Sequence, residues 1–155
     1  MGRKHQTALV TGASSGIGRE TAIRLAERGY DVIVAARRLE RLQELAKRFS
    51  RLTPRQVDLS EPKDTEAFCQ YLEGLKVPVS VLINNAGYAT RGVLEDVALK
   101  NIRRLYEVNL FALIRVTQAC LPGMRKQRSG TVINVSSIVG KFPFAGSGVY
   151  ASSKY

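Results

Sequence analysis

The sequence is poor in the residues that build staples and metal sites. Its two cysteines, Cys69 and Cys120, lie far apart with no partner spacing, and there is a single histidine. This excludes a disulfide framework and leaves no zinc-ligand set, so no metal is expected. No run of about 18 apolar residues is present to span a bilayer. The basic N-terminus, Met1-Gly2-Arg3-Lys4-His5-Gln6, is followed by no apolar leader core or small-residue cleavage site. Gln6 stands where a myristoylation signal needs Ser or Thr. A cytoplasmic chain is the expectation. Acidic residues are scarce too, 13 Asp plus Glu against 24 Lys plus Arg, for a net charge of +11. Such an excess asks for an anionic partner, nucleic acid first. Yet the cations are scattered through segments such as Arg37-Arg38-Leu39-Glu40-Arg41 and Met124-Arg125-Lys126-Gln127-Arg128. No block forms a basic arm and no aromatic-interleaved patch occurs, so a solvated surface accounts for most of them.

What is present suits one α/β domain. The chain has 155 residues, 45% hydrophobic and 24% charged, enough to bury a core without staples. Short apolar runs alternate with helical patterns. Thr7-Ala8-Leu9-Val10, residues 31–36 around Val32-Ile33-Val34, Arg55-Gln56-Val57, residues 79–83 and residues 131–135 read as strands. Between them, residues 17–28 carry Ile17, Ala22, Leu25 and Ala26 at helical spacing, with Gly29 as a stop. Residues 39–49, 62–75, 94–108 and 111–128 also read as helices, Pro122 bending the last, and another helix starts near Val149. Continuous apolar strands between helices predict a parallel sheet covered on both faces. No repeat, linker or composition break divides residues 1–155.

Thr11-Gly12-Ala13-Ser14-Ser15-Gly16-Ile17-Gly18 lies between the first strand and the first helix. Glycines there let the backbone approach a dinucleotide's phosphates, and the helix start offers free N–H groups. The spacing is not that of the common G-x-G-x-x-G fingerprint, and a ligand-free tight turn is the competing reading.

In order along the chain, this turn, Asp58 in Val57-Asp58-Leu59, Asn84-Asn85-Ala86-Gly87, Asn109, Ser137 after Ser136, and Tyr150 with Lys154 resemble the motifs of the short-chain dehydrogenase/reductase family. The resemblance implies a Rossmann-type doubly wound sheet, strand order 3-2-1-4-5. It implies cofactor contacts from Gly12, Ser14, Ser15, Gly16, Ile17 and Gly18, an adenine contact from Asp58, and pocket walls from Asn85, Ala86 and Gly87. Catalysis falls to Asn109, Ser137, Tyr150 and Lys154, the last two also meeting the cofactor. Ser137, not Ser136, has the family's distance from Tyr150.

The second strand ends at Ala36, Arg37 and Arg38, where an NAD-binding domain would place an acid for the ribose 2′-OH. A guanidinium suits a 2′-phosphate instead. The resemblance puts the family's NADP-selecting base at Arg37. Arg38 is either a second phosphate ligand or a surface charge, and Ser15 stands where the family's other basic site lies. NADP(H) is expected, with NAD(H) second.

Tyr150 and Lys154 share a helix face. A tyrosine's ordinary pKa of about 10 is too high for proton transfer at neutral pH, and a nearby ammonium favours the phenolate. The pair would exchange a proton with a substrate oxygen oriented by Ser137, and the resemblance implies that Asn109 supports a water path behind Lys154. Tyr88 and Tyr106 are read as packing or pocket lining. The loops 88–94 and 140–148, the latter with Phe142, Pro143 and Phe144, would wall a pocket for a hydrophobic alcohol or ketone.

The chain stops one residue after Lys154, where the family continues. The expectation is an N-terminal portion with the C-terminal part of the fold absent, an apolar edge at Val132-Ile133, and no turnover by these residues alone. Residues 111–128 would supply one of two helices for a homo-oligomer of the full-length protein. A non-catalytic NADP(H)-binding module or sensor is the alternative, and a nucleic-acid binder ranks below it.

Overall fold

The computed structural model describes residues 6–155; the basic segment 1–5, and with it most of the leader reading, lies outside them. Five strands form where the apolar runs predict: β1 (Thr7–Thr11), β2 (Asp31–Ala36), β3 (Leu52–Gln56), β4 (Val79–Asn84) and β5 (Thr131–Asn134). They pair in parallel in the order β3-β2-β1-β4-β5, the doubly wound arrangement expected.

Alternation of side chains splits the core in two. On one face Leu9, Ile33 and Leu82 pack against Phe68, Leu72, Val116 and Met124, from α3 (Pro62–Glu73) and α5 (Ala112–Lys126). On the other, Ala8, Val10, Val34 and Ile83 pack against Ala22, Ile23, Leu42 and Leu45, from α1 (Gly16–Glu27) and α2 (Leu39–Arg48). Successive strand residues point to opposite faces, so a sheet covered twice uses every position. Cys69 and Cys120 are free, buried thiols of the first cluster. Burial pushes them up to about 11 and about 12, which makes them packing residues rather than nucleophiles.

Several boundaries differ from the sequence reading. β3 starts at Leu52, earlier than expected, and includes Pro54. That strand is an edge, so the missing N–H costs no ladder bond. The expected helix 94–108 is broken into a 3₁₀ turn (Leu94–Asp96) and α4 (Leu99–Tyr106). α4 then runs into α5 through a single π-helical turn, Glu107–Phe111, where a pause between two helices was expected. Ile17 is not on the buried stripe of α1: it is 68% exposed, and Gly18, Ala22, Ile23 and Ala26 face the core. At the other edge of the sheet, Val132 and Ile133 are 36% and 48% exposed, the apolar edge the sequence predicts.

α3 and α5 are clamped by charge as well as by packing. Arg115 donates from Nε and Nη2 to the two Glu66 carboxylate oxygens, both at 2.9 Å, and reaches Glu73 at 3.1 Å. No helix among the described residues is long and apolar enough to cross a membrane.

Candidate cofactor cleft and catalytic cluster

A cleft opens over the C-terminal ends of β1, β2, β3 and β4, at the point where strand order reverses. Its walls include Gly12, Ser14, Ser15, Arg37, Arg38, Asp58, Ala86, Gly87, Arg104 and Val108. This is the crevice in which open α/β sheets bind ligands.

The glycine turn is fastened to β4 by side chains. Thr11 Oγ1 accepts from the backbone N–H of Asn85 (3.1 Å) and Ala86 (3.0 Å). Asn85 Nδ2 donates to the carbonyls of Thr11 (3.0 Å) and Gly12 (3.3 Å). Contact this close requires glycine. Gly12 has φ +68°, and a Cβ there would lie 2.8 Å from Ala86 Cα. At Gly18 a Cβ would collide with the Asn85 amide and come within 2.7 Å of the Gly12 carbonyl oxygen. Thus Asn85 and Gly18 hold the turn's shape, while Gly12, Ser14 and Ser15 face the cleft. Gly16 borders a neighbouring cavity instead, and Ile17 points to solvent.

Arg38 is tied to the turn. Its Nη2 donates to Ser14 Oγ and Ser15 Oγ, both at 2.9 Å, and its Nε to Ser14 Oγ at 3.2 Å. Arg37, also on the cleft wall, has its carbonyl bound by Gln56 Nε2 (3.1 Å). The end of β2 therefore presents two guanidinium groups and no carboxylate.

Asp58 Oδ1 accepts from Ser60 N–H (2.9 Å) and Ser60 Oγ (2.7 Å), and its Oδ2 lies 3.8 Å from Arg104 Nη2. Burial pushes this carboxyl up, but the Ser60 hydrogen bonds with Arg37 and Arg104 together outweigh it and hold it below the usual aspartate value. A depressed folded-state pKa gives stability that is present above the ordinary aspartate range and lost as pH falls through the folded value. Asp58→Asn is therefore expected to flatten the loss of thermal stability on acidification below about pH 4. Melting curves across pH check this, and an unchanged acid limb would remove Asp58 from that linkage.

Of the expected catalytic residues, Asn109 and Lys154 come together beside Gly87, past the end of β4. Lys154 Nζ donates to the Val135 carbonyl at 3.0 Å, and burial lowers its pKa from the usual lysine value. Ser136 Oγ donates to the Lys154 carbonyl (2.6 Å), so Ser136 closes the segment structurally. Ser137 Oγ accepts from Val139 N–H (3.4 Å) as the cap of a 3₁₀ turn, Ile138–Gly140, and its own proton remains available. Asn109 sits in the π turn and is 2% exposed. Its Oδ1 accepts from Tyr88 N–H (3.1 Å), and its Nδ2 donates to the Tyr88 carbonyl (3.0 Å) and Ser153 Oγ (2.9 Å). A Cβ on Gly87 would lie 3.0 Å from Asn109 Oδ1 and 3.1 Å from Lys154 Nζ, so only glycine leaves both groups undisturbed. Tyr150 stands on α6 (Gly148–Ser152), half-buried, and no hydrogen bond joins its hydroxyl to Ser137 or Lys154. Tyr88 lines the cleft, and Tyr106 Oη lies 2.7 Å from Ser152 Oγ.

Thr11, Ser60, Arg104 and Ser153 were not anticipated. Arg104 meets Asp58, and Ser153 meets Asn109, only across the fold. Nothing local in the sequence marks either contact. Beyond Tyr150, the loops holding Val93, Leu94, Pro143, Phe144 and Val149 enclose a mainly apolar cavity and are joined by Gly92 N–H to the Gly146 carbonyl (3.0 Å). Among the described residues no group of three His, Cys, Asp or Glu gathers to hold a metal.

Comparison with known proteins agrees with this geometry. Residues 6–155 match the family model described as short chain dehydrogenase. An uncharacterised oxidoreductase of Staphylococcus saprophyticus is 35% identical over 98% of this chain and 63% of its own length. A short-chain dehydrogenase from Streptomyces avermitilis superposes with a TM-score of 0.93 at 35% identity, covering 99% of this chain and 57% of that one. A Sphingobium yanoikuyae short-chain dehydrogenase solved with NADPH gives 0.90 at 36% identity, covering 96% and 60%. The chain thus spans less than two thirds of the length of these relatives. With the family model matched over residues 6–155 and the fold shared with these structures, the chain belongs to the short-chain dehydrogenase family.

Proposed function

We propose that residues 1–155 act as a single dinucleotide-binding unit in an oxidoreductase that interconverts an alcohol and a carbonyl with NADP(H). The observation that carries this reading is the end of β2, where Arg37 and Arg38 stand on the cleft wall and no carboxylate replaces them. At Gly12 and Gly87 an added Cβ would crowd Ala86 and the Asn109 and Lys154 side chains, so a side chain at either position would disturb the groups around the cleft. Gly12, Ser14 and Ser15 would hold the pyrophosphate, Arg37 and Arg38 the 2′-phosphate, Asp58 the adenine, and Ala86, Gly87, Tyr150 and Lys154 the nicotinamide half. The bound cofactor supplies or takes up a hydride.

The chain's own residues then manage the proton. Tyr150, whose hydroxyl has no protein partner, donates it to or accepts it from the substrate oxygen. Ser137 donates its free proton to the same oxygen and orients it; Ser136 is already committed to the Lys154 carbonyl. Lys154 spends one of its three N–H donors on Val135, and the others would be free for the cofactor's ribose. Asn109, locked by Tyr88 and Ser153, positions the region behind Lys154. The apolar cavity of Val93, Leu94, Phe144 and Val149 favours a hydrophobic alcohol or ketone. The outer face around α5, with Phe111, Ile114 and Leu121 exposed, supports self-association through that helix.

The test is cofactor choice. NADPH is expected to bind the chain at least about tenfold more tightly than NADH, as one charge-assisted phosphate contact allows. Arg37→Ala should erase the difference while leaving NADH affinity unchanged. Equal affinities in the unaltered protein would overturn the assignment.

A further inference from the structure

The cleft has a neighbour. Behind the glycine turn, between α1 and α2, a cavity of about 400 Å³ is lined by Ser15, Gly16, Arg19, Arg41, Glu44 and Arg48 among others. Its charged side chains are three arginines against one glutamate, a local excess of 3 − 1 = +2. Arg24, Arg51, Arg104 and Arg115 each meet a carboxylate; the three arginines of this cavity meet none among the described residues. Glu44 lies three residues after Arg41 and four before Arg48 on one helix, spacings at which ion pairs form readily, yet it pairs with neither. Arg19, half-buried at the first turn of α1, has no carboxylate partner either. Three like charges brought together without counter-ions repel, and an anion is what would relieve them. Space for it exists, since a Cβ on Gly16 would meet nothing within 4 Å.

This cavity adjoins the cofactor cleft: Ser14 and Ser15 border both, and Arg38 braces that shared wall by hydrogen bonding to them. Its size is that of a small-molecule site. Arg41 and Arg48 stand seven residues apart, about 10 Å along the helix axis, farther than one phosphate bridges. Arginine's planar fork pairs with phosphate oxygens in particular.

We propose that the cavity between α1 and α2 is a second anion site, which takes a small ligand carrying two phosphate groups, a diphosphate or bisphosphate, while the dinucleotide cleft is filled. The site does not depend on the cofactor assignment above.

Calorimetric titration of the 155-residue chain with inorganic pyrophosphate at low ionic strength tests it, with and without saturating NADP⁺. Pyrophosphate is expected to bind in both conditions. The double variant Arg41→Ala/Arg48→Ala should weaken it at least about tenfold and leave NADP⁺ affinity within about twofold. Glu44→Gln, which removes the one local anion, should tighten it about threefold; a gain of affinity is not a result that misfolding produces. Pyrophosphate binding that NADP⁺ abolishes would assign the anion to the cofactor cleft and overturn the proposal. So would binding indifferent to all three side chains. If NADP⁺ gives no heat with the unaltered chain, the cofactor reading fails, and the variants alone decide the second site.

Discussion

Gly12→Ala is expected to destabilise the protein by about 2–5 kcal/mol and to lower NADPH affinity at least about a hundredfold. Two effects add. The residue has φ +68°, a left-handed conformation that costs an alanine about 1–2 kcal/mol. Its new Cβ would also stand 2.8 Å from Ala86 Cα and 2.9 Å from Asn85 Nδ2. Backbone cannot yield as a flexible side chain does, and overpacking typically costs about 1–3 kcal/mol more. Relaxation would push the turn off β4 and break the Asn85 and Thr11 bonds that shape the phosphate cradle. Gly29→Ala is the control: φ is +91° there, but nothing lies within 4 Å of the added atom. It should cost only the conformational part, and NADPH affinity should not change. Urea denaturation with fluorescence titration measures both quantities. Equal costs at the two positions would show that conformation alone, not the approach to Ala86, demands glycine at 12.

In the full-length protein, Tyr150→Phe is expected to lower kcat for carbonyl reduction by about 10²–10⁴-fold, the range removed with a general acid, while NADPH still binds. The ring and its packing are kept; only the hydroxyl goes, and that hydroxyl makes no structural hydrogen bond. The loss should therefore appear without a change in melting temperature. Ser137→Ala should give a smaller loss, because it removes one orienting hydrogen bond and the cap on Val139. Ser136→Ala, by contrast, should act through stability, since its hydroxyl fastens the Lys154 carbonyl. A Tyr150→Phe protein with undiminished kcat would take Tyr150 out of proton transfer.

Much of the site was legible in the linear pattern because it is built where strands end. The turn 11–18, Asn85 to Gly87 and Ser137 each follow an apolar run, and parallel strands bring their C-terminal ends to one side of the sheet. Less was legible where a residue's role depends on what lies across the fold. Asn85 reads as a pocket wall, but its amide is a brace on the glycine turn. Ile17 reads as an apolar position on the helical stripe, yet it is exposed at the helix start. Residues 94–111 show helical spacing throughout, but a 3₁₀ turn and a π turn divide them. The π turn adds a residue to the helix where Asn109 meets Tyr88 and Ser153, and periodicity carries no signal for one inserted residue.

By itself, then, the sequence determined the fold class, because apolar runs, glycines and helix faces are local properties with few ways to assemble, while the strand order and the expected site positions came with the family resemblance. It determined that the end of β2 carries two arginines and no acid. The tertiary structure alone decided how those arginines divide: Arg38 is drawn onto the Ser14 and Ser15 hydroxyls, while Arg37 stays on the cleft wall. It decided too that Arg19, Arg41 and Arg48, scattered among the surplus cations of the sequence, line one unpaired cavity. Charge partners are chosen by distance in space, and no spacing along the chain encodes them.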